Sequence, residues 1–223
     1  MGRPKQFIDL LGSPALGYTL SAFEETREVT YIYTVGDHAS VEKLVAEASI
    51  TKYAGCAPPG EVRALSARNG VHLLADADPG TIVLVHDGSR CLVTPALIER
   101  VVAAALSSST SGVIPTIPIS DTVKAVEEGD VIETLDRLRL RAAQTPQAFR
   151  LSMLRRVYAG AEERLCAATD DASLIEEAGG RVLAVEGEKT NIKLTTPEDL
   201  TLAEAILKVR ATTARESSCG VRR

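Results

Sequence analysis

What most constrains the fold of this chain is an alternation, in which short β-rich runs trade places with amphipathic ones along most of its length. VTYIYTV at 29–35 has a strand pattern, SVEKLVAEA at 40–48 a helical one, residues 61–75 are helical again, and 81–86 form a strand. Strands separated by helices predict a parallel sheet. Residues 94–106 (TPALIERVVAAAL) open on Thr94 and Pro95, an N-cap and first-turn pair, and SGVIPTIPIS at 111–120 reads as another strand. From 121 to 146 the pattern changes. A Glu-Gly-Asp turn sits there between two extended runs, which predicts a hairpin arm outside the main sheet. Beyond it come a helix near 151–158, a helix at 170–178 closed by Gly179 and Gly180, strands at 181–186 and 190–194, and a last helix from Pro197. Thr169, Asp170 and Asp171 read as the cap of the 170–178 helix, and Thr196-Pro-Glu-Asp199 has the layout of a capping box. The expected organisation is one domain over 1–208 followed by a polar, disordered tail, 209–223.

Composition narrows the function. A chain of 223 residues, 45% hydrophobic and 25% charged, can bury a substantial core. Its net charge of −5 argues against a nucleic-acid polymer or an anionic membrane as partner, while a local cluster of Lys and Arg still permits a small anionic ligand. No apolar run reaches the length of a membrane span, and MGRPKQF lacks the apolar core of a signal peptide. Cys56, Cys91, Cys166 and Cys219 are scattered, without zinc-site spacing or disulfide-scaffold density. A soluble protein of a reducing compartment is expected, with bacterial cytoplasm and plastid both open.

The apolar run Val83–Val85 ends on His86, Asp87, Gly88, Ser89 and Arg90. In open parallel sheets ligands bind at the carboxyl ends of strands, so Asp87 is placed at a crevice. A carboxylate there suits Mg²⁺, which prefers oxygen ligands and bridges to phosphates, and Arg90 adds a planar donor for an anionic oxygen. The same residues also fit a turn in which Asp87 caps the backbone and Arg90 pairs with it. Lys5 and Lys193 are further cationic candidates because of the sequence around them.

Seven stretches occur in one order: PKQFIDLLGSPALGYTLSAF, VLVHDGSR, SDTVK, ETLDR, AAQTPQAF, TDDASLIEEAGG and NIKLTTPEDLTLAEA. Together the chain resembles the 2-C-methyl-D-erythritol 4-phosphate cytidylyltransferase family over residues 1 to about 208. Ribitol-5-phosphate cytidylyltransferases share several of these words, and SDTVK and ETLDR favour the methylerythritol branch. The resemblance implies an α/β fold with a Rossmann-like nucleotidyltransferase sheet and a protruding β-arm that exchanges contacts in a homodimer. It implies transfer of CMP from CTP to a sugar-alcohol phosphate, with Mg²⁺ as cofactor and pyrophosphate released. By the same match Lys5 and Lys193 are catalytic, Asp87 lies beside the metal and both phosphates, and Arg90 and Thr122 bind the sugar phosphate. Arg137 and Thr145 are carried on the arm toward the neighbouring subunit's site, and Gly60, Glu61 and Ser66 recognise cytosine and ribose. Glu61 departs from the family's more usual aspartate or small polar residue, as Ser89, Cys91 and Arg141 depart from alanine, proline and a bulky apolar residue.

The family opens with a hydrophobic strand and a glycine-rich loop containing a catalytic arginine. Neither stands before Pro4 in this sequence, where Arg3 is the one arginine. The expectation is a sheet short of a central strand, with exposed edges. Three readings stay open: an active cytidylyltransferase, a non-catalytic dimeric homologue with a binding or regulatory role, and a chain whose beginning lies upstream.

Overall fold

A computed structural model describes residues 5–220, with side chains as far as 213. After a 3₁₀ turn at Lys5–Phe7, β1 (Asp9–Leu10) and β2 (Ser13–Pro14) make a short antiparallel ladder before α1 (Ala15–Glu25). Then follow β3 (Ile32–Val35), α2 (His38–Glu47), β4 (Tyr53–Ala57), α3 (Arg63–His72) and β5 (Ile82–Val85). Next are α4 (Pro95–Ser107), β6 (Gly112–Pro118), β7 (Lys124–Glu127), β8 (Asp130–Thr134), β9 (Arg141–Ala143) and β10 (Gln147–Arg150). The chain finishes with α5 (Leu151–Tyr158), α6 (Glu162–Ala167), α7 (Asp171–Glu177), β11 (Val182–Glu186) and α8 (Pro197–Gly220). None of the described helices is long and apolar enough to cross a membrane.

The caps lie where the sequence puts them. Thr94 accepts a hydrogen bond from the Leu97 N–H with Pro95 in the first turn of α4, and Asp199 reaches back to the N–H groups of Thr195 and Thr196. Asp170, rather than the whole Thr169–Asp171 triplet, caps α7 by accepting from the Ser173 N–H.

The main sheet runs β11-β6-β10-β5, with β9 also paired to β6. It is mixed, not all parallel. β11 lies parallel to β6, whereas β10 is antiparallel to both β5 and β6, because the chain re-enters the sheet from the arm in the reverse direction. β3 and β4 form a separate parallel pair, and no ladder among the described residues joins them to β5. All four residues of β5 stay partly exposed although they are the most apolar strand, as a strand paired on only one side would be.

Side chains bridge this division. Ile32 of β3 packs into one cluster with Leu20 and Phe23 of α1 and Leu97, Ile98 and Val101 of α4, and Ile82 and Leu84 of β5 lie against it. The other face of β5, Val83 and Val85, packs against Leu65, Leu154 and Leu174 from α3, α5 and α7. A third cluster ties Leu92 and Leu194 to Leu10 and Ala203.

Three expectations need correction. The arm is β7 and β8, joined at Glu128 and Gly129 with positive φ of 50° and 96°; the remainder of 121–146 includes β9, which belongs to the main sheet. Residues 190–194 are not a strand, since their polar groups are spent on the hydrogen bonds described below. The expected tail is helical to Gly220, because Ala, Arg and Glu among residues 209–219 support continuation and no proline or glycine interrupts it. Arg3 lies outside the described residues.

Candidate active site

The site forms where β5 ends. Val85 is opposite Gln147 on β10, and the chain then turns, with the Arg90 N–H bonded to the Asp87 carbonyl at 2.9 Å. Thr145, just before β10, holds this turn: its hydroxyl accepts the Asp87 N–H at 3.1 Å and lies 3.0 Å from His86 Nδ1. His86 Nε2 is 3.2 Å from the Arg90 carbonyl. A carbonyl only accepts, so Nε2 donates, and neutral Nδ1 accepts the Thr145 hydroxyl. Burial pushes His86 down to about 4, which favours that neutral ring.

Asp87 lies between two cations. Its Oδ1 is 2.7 Å from Arg63 Nε and its Oδ2 is 2.8 Å from Lys193 Nζ. Burial opposes the charge on the carboxylate, but the neighbouring Arg63 and Lys193 outweigh it and hold the group at about 2. Arg63 also reaches Asp171, NH1 to Oδ2 at 2.8 Å, and the other oxygen of that fully buried carboxylate accepts the Tyr158 hydroxyl at 2.5 Å. A cavity of about 260 Å³ opens over this group, lined among others by Arg63, Asp87, Arg90, Thr145, Asp170 and Lys193.

Lys193 stands on a loop fastened to the segment that leads out of β9. The Gln144 amide donates to the Glu188 and Asn191 carbonyls at 2.8 and 3.2 Å and accepts the Glu188 N–H at 3.0 Å. Buried Asn191 donates to the Thr145 carbonyl at 2.9 Å. Arg90 spans the same join, giving NH1 to the Asn191 carbonyl and NH2 to the Ala143 carbonyl. Lys5 donates to the Thr195 carbonyl at 2.7 Å, two residues from Lys193.

Asp87, Arg90, Thr145 and Lys193 therefore meet in one cavity of one chain. Thr145, expected on the arm, stands just before β10 and bonds its own chain's Asp87 and His86. Gly60 and Ser66 pair at the start of α3, where the Gly60 N–H donates to Ser66 Oγ at 3.0 Å and a Cβ at 60 would come within 2.5 Å of Leu65 Cβ. Glu61 is exposed beside them. Thr122 and Arg137 do not line the Asp87 cavity. Arg137 donates to the Ser120 carbonyl and lines a groove of about 340 Å³ at the root of the arm, while Thr122 is exposed nearby.

No three His, Cys, Asp or Glu side chains among the described residues gather as a metal cluster. Both Asp87 oxygens are engaged, by Arg63 and Lys193, so Asp87 would hold Mg²⁺ only on an oxygen that Lys193 released, and the ion would take its other ligands from phosphates and water.

The model of the family 2-C-methyl-D-erythritol 4-phosphate cytidylyltransferase (IspD) matches residues 1–209. The chain belongs to this family. A 2-C-methyl-D-erythritol 4-phosphate cytidylyltransferase of Rubrobacter xylanophilus is 60% identical over 210 residues, 94% of this chain and 90% of that one. A solved structure of 4-diphosphocytidyl-2C-methyl-D-erythritol synthase aligns with a TM-score of 0.80 at 30% identity, covering 91% of this chain and 94% of the other. The Thermus thermophilus 2-C-methyl-D-erythritol 4-phosphate cytidylyltransferase structure gives 0.73 at 31% identity over 92% and 94%.

In this IspD-family chain, sequence reasoning missed Arg63, Tyr158, Gln144 and Asn191 as parts of the site. Arg63 lies inside PGEVRALS, the stretch taken for base recognition, and its charge was the available signal. Asp171 carried no such signal. A second aspartate at a helix start reads as a cap until the burial of its carboxylate is seen.

Proposed function

We propose that this chain transfers CMP from CTP to 2-C-methyl-D-erythritol 4-phosphate, giving 4-diphosphocytidyl-2-C-methyl-D-erythritol and pyrophosphate. The observation that carries this reading is the strand-end carboxylate Asp87 set between Arg63 and Lys193 beside Arg90, in a chain of this family. A phosphate oxygen of the sugar phosphate attacks the α-phosphorus of CTP as the bond to the β-phosphate oxygen breaks, and the electron pair leaves with pyrophosphate. The attacking group is already an anion, so neither a protein nucleophile nor a general base is needed. Catalysis is then positioning and charge neutralisation. Lys193 and Lys5 supply positive charge near the α-phosphate, and Arg90 holds the sugar phosphate. Gly60, Glu61 and Ser66 face the nucleoside. Asp87 would hold Mg²⁺, which would supply positive charge against the triphosphate.

The arm supports a homodimer. Val126, Val131, Ile132 and Leu138 on and beside β7 and β8 are 56–84% exposed, more apolar surface than a free hairpin keeps, and a second chain would cover it while receiving Arg137 and Thr122.

The test is pyrophosphate release with CTP, Mg²⁺ and 2-C-methyl-D-erythritol 4-phosphate, with ribitol 5-phosphate in parallel. Release with the methylerythritol substrate is expected, and Lys193→Ala should lower it by on the order of 100-fold or more without altering the dimer. Release with ribitol 5-phosphate alone would reassign the acceptor, and silence with both from a folded dimer would make the chain a non-catalytic homologue.

A further inference from the structure

Asp87 has two cationic partners of different kinds. Lys193 is 43% exposed, sits on a flexible stem and grips Oδ2 from the cavity side. Arg63 is held at both ends: Nε bonds Asp87 Oδ1 and NH1 bonds Asp171 Oδ2, and Asp171, with no exposure at all, is itself fixed by the Tyr158 hydroxyl. Moving Arg63 would strand a buried carboxylate, which is costly, whereas Lys193 can exchange Asp87 for another anion at little cost. A phosphate entering the cavity is such an anion.

We infer that Arg63 is a positioning residue of the transfer reaction: pinned on Asp171, it keeps the Asp87 carboxylate aimed while Lys193 leaves Oδ2 for a phosphate. The inference rests on the cytidylyl-transfer reading and deepens it. Asp171 and Tyr158 thereby become the footing of Arg63 beneath the cavity floor. Only a planar, forked cation serves two carboxylates at this spacing, so lysine is a poor substitute.

Arg63→Met and Asp171→Asn are compared with wild type in turnover, in calorimetric affinity for CTP with Mg²⁺, and in crystal structures of the CTP complex. Leu165→Ala, in the core cluster that holds Tyr158, serves as a control for lost stability. Arg63→Met should lower kcat by on the order of 100-fold, with Asp171→Asn following in the same direction. CTP affinity and both KM values should stay within about threefold, and Leu165→Ala should keep its kcat at temperatures where it remains folded. In the wild-type complex Lys193 should have left Asp87 and Arg63 should still span Asp87 and Asp171.

An undiminished kcat in Arg63→Met, a loss confined to CTP affinity, an equal loss of kcat in Leu165→Ala, or an Arg63 found on a phosphate would each overturn the inference while leaving the transfer reading intact. A wild-type chain that binds no CTP would overturn both. If wild type binds CTP without turning over, the position of Arg63 in the complex decides the inference alone.

Discussion

Thr145 serves two neighbours with one hydroxyl. Its oxygen accepts the Asp87 N–H and its proton goes to His86 Nδ1, so the direction of each bond follows from the Arg90 carbonyl at the far side of the ring. The imidazole is a fixed spacer between the two ends of the turn that carries Asp87 and Arg90. Its ionisation works against folding. Burial, above all, holds the folded group at about 4 against an ordinary 6.5, so between these values the unfolded chain binds more protons than the folded one. The stability contributed by a neutral His86 is complete above pH 6.5 and is lost as pH falls toward 4. Urea midpoints measured from pH 7 to pH 4.5 should fall more steeply for wild type than for His86→Asn, and parallel slopes would reject this account. VLVHDGSR holds one of the ring's two partners, the Arg90 carbonyl, but the other, Thr145, is 59 residues away and left no sign there.

At the level of elements, helices were legible where their ends carry chemistry. Thr94-Pro95 and Asp199 mark the starts of α4 and α8 through bonds made within three or four residues. The 190–194 segment shows the limit of such reading. Asn-Ile-Lys-Leu alternates like a strand, but Gln144 and Arg90 claim the Asn191 carbonyl while the buried Asn191 side chain bonds the Thr145 carbonyl, and these hold it as a loop. Local pattern records which face is apolar and carries no trace of a competing amide 47 residues away. The antiparallel entry of β10 was hidden for the same reason, because direction in a sheet is set by how the arm returns. Gln144→Leu, which keeps volume, leaves the Glu188 N–H without a partner and takes one of two bonds from each of the Glu188 and Asn191 carbonyls, so it should cost about 2 kcal/mol in urea unfolding and reduce kcat through Lys193. An unchanged kcat in that variant would show that Lys193 does not depend on this join.

For the molecule as a whole, two separate sheets are joined through a shared core. Ile98, fully buried on α4, belongs to the cluster that includes Ile32 of β3 and lies against Ile82 and Leu84 of β5. Side-chain packing here does what a backbone ladder does in a continuous sheet. Ile98→Ala should therefore lower global stability by about 3 kcal/mol while unfolding stays a single transition, checked by comparing urea curves from circular dichroism and from a probe placed on β4. Two separated transitions would show that β3 and β4 melt independently. The expectation of exposed edges came from the sequence, but the means of bridging them did not, since it depends on which helix faces are brought together.

The site draws on distant parts of the chain in unequal measure. Arg63 and Asp87 are 24 residues apart, whereas Arg63 and Asp171 are separated by 108, Arg90 and Asn191 by 101, and Lys5 and Thr195 by 190. A chain still emerging from the ribosome can thus bring Arg63 to Asp87 early. The lysine side of the cavity has to wait until the segment carrying Lys193 is made, so the charge arrangement for a triphosphate is completed well after Arg63 can meet Asp87.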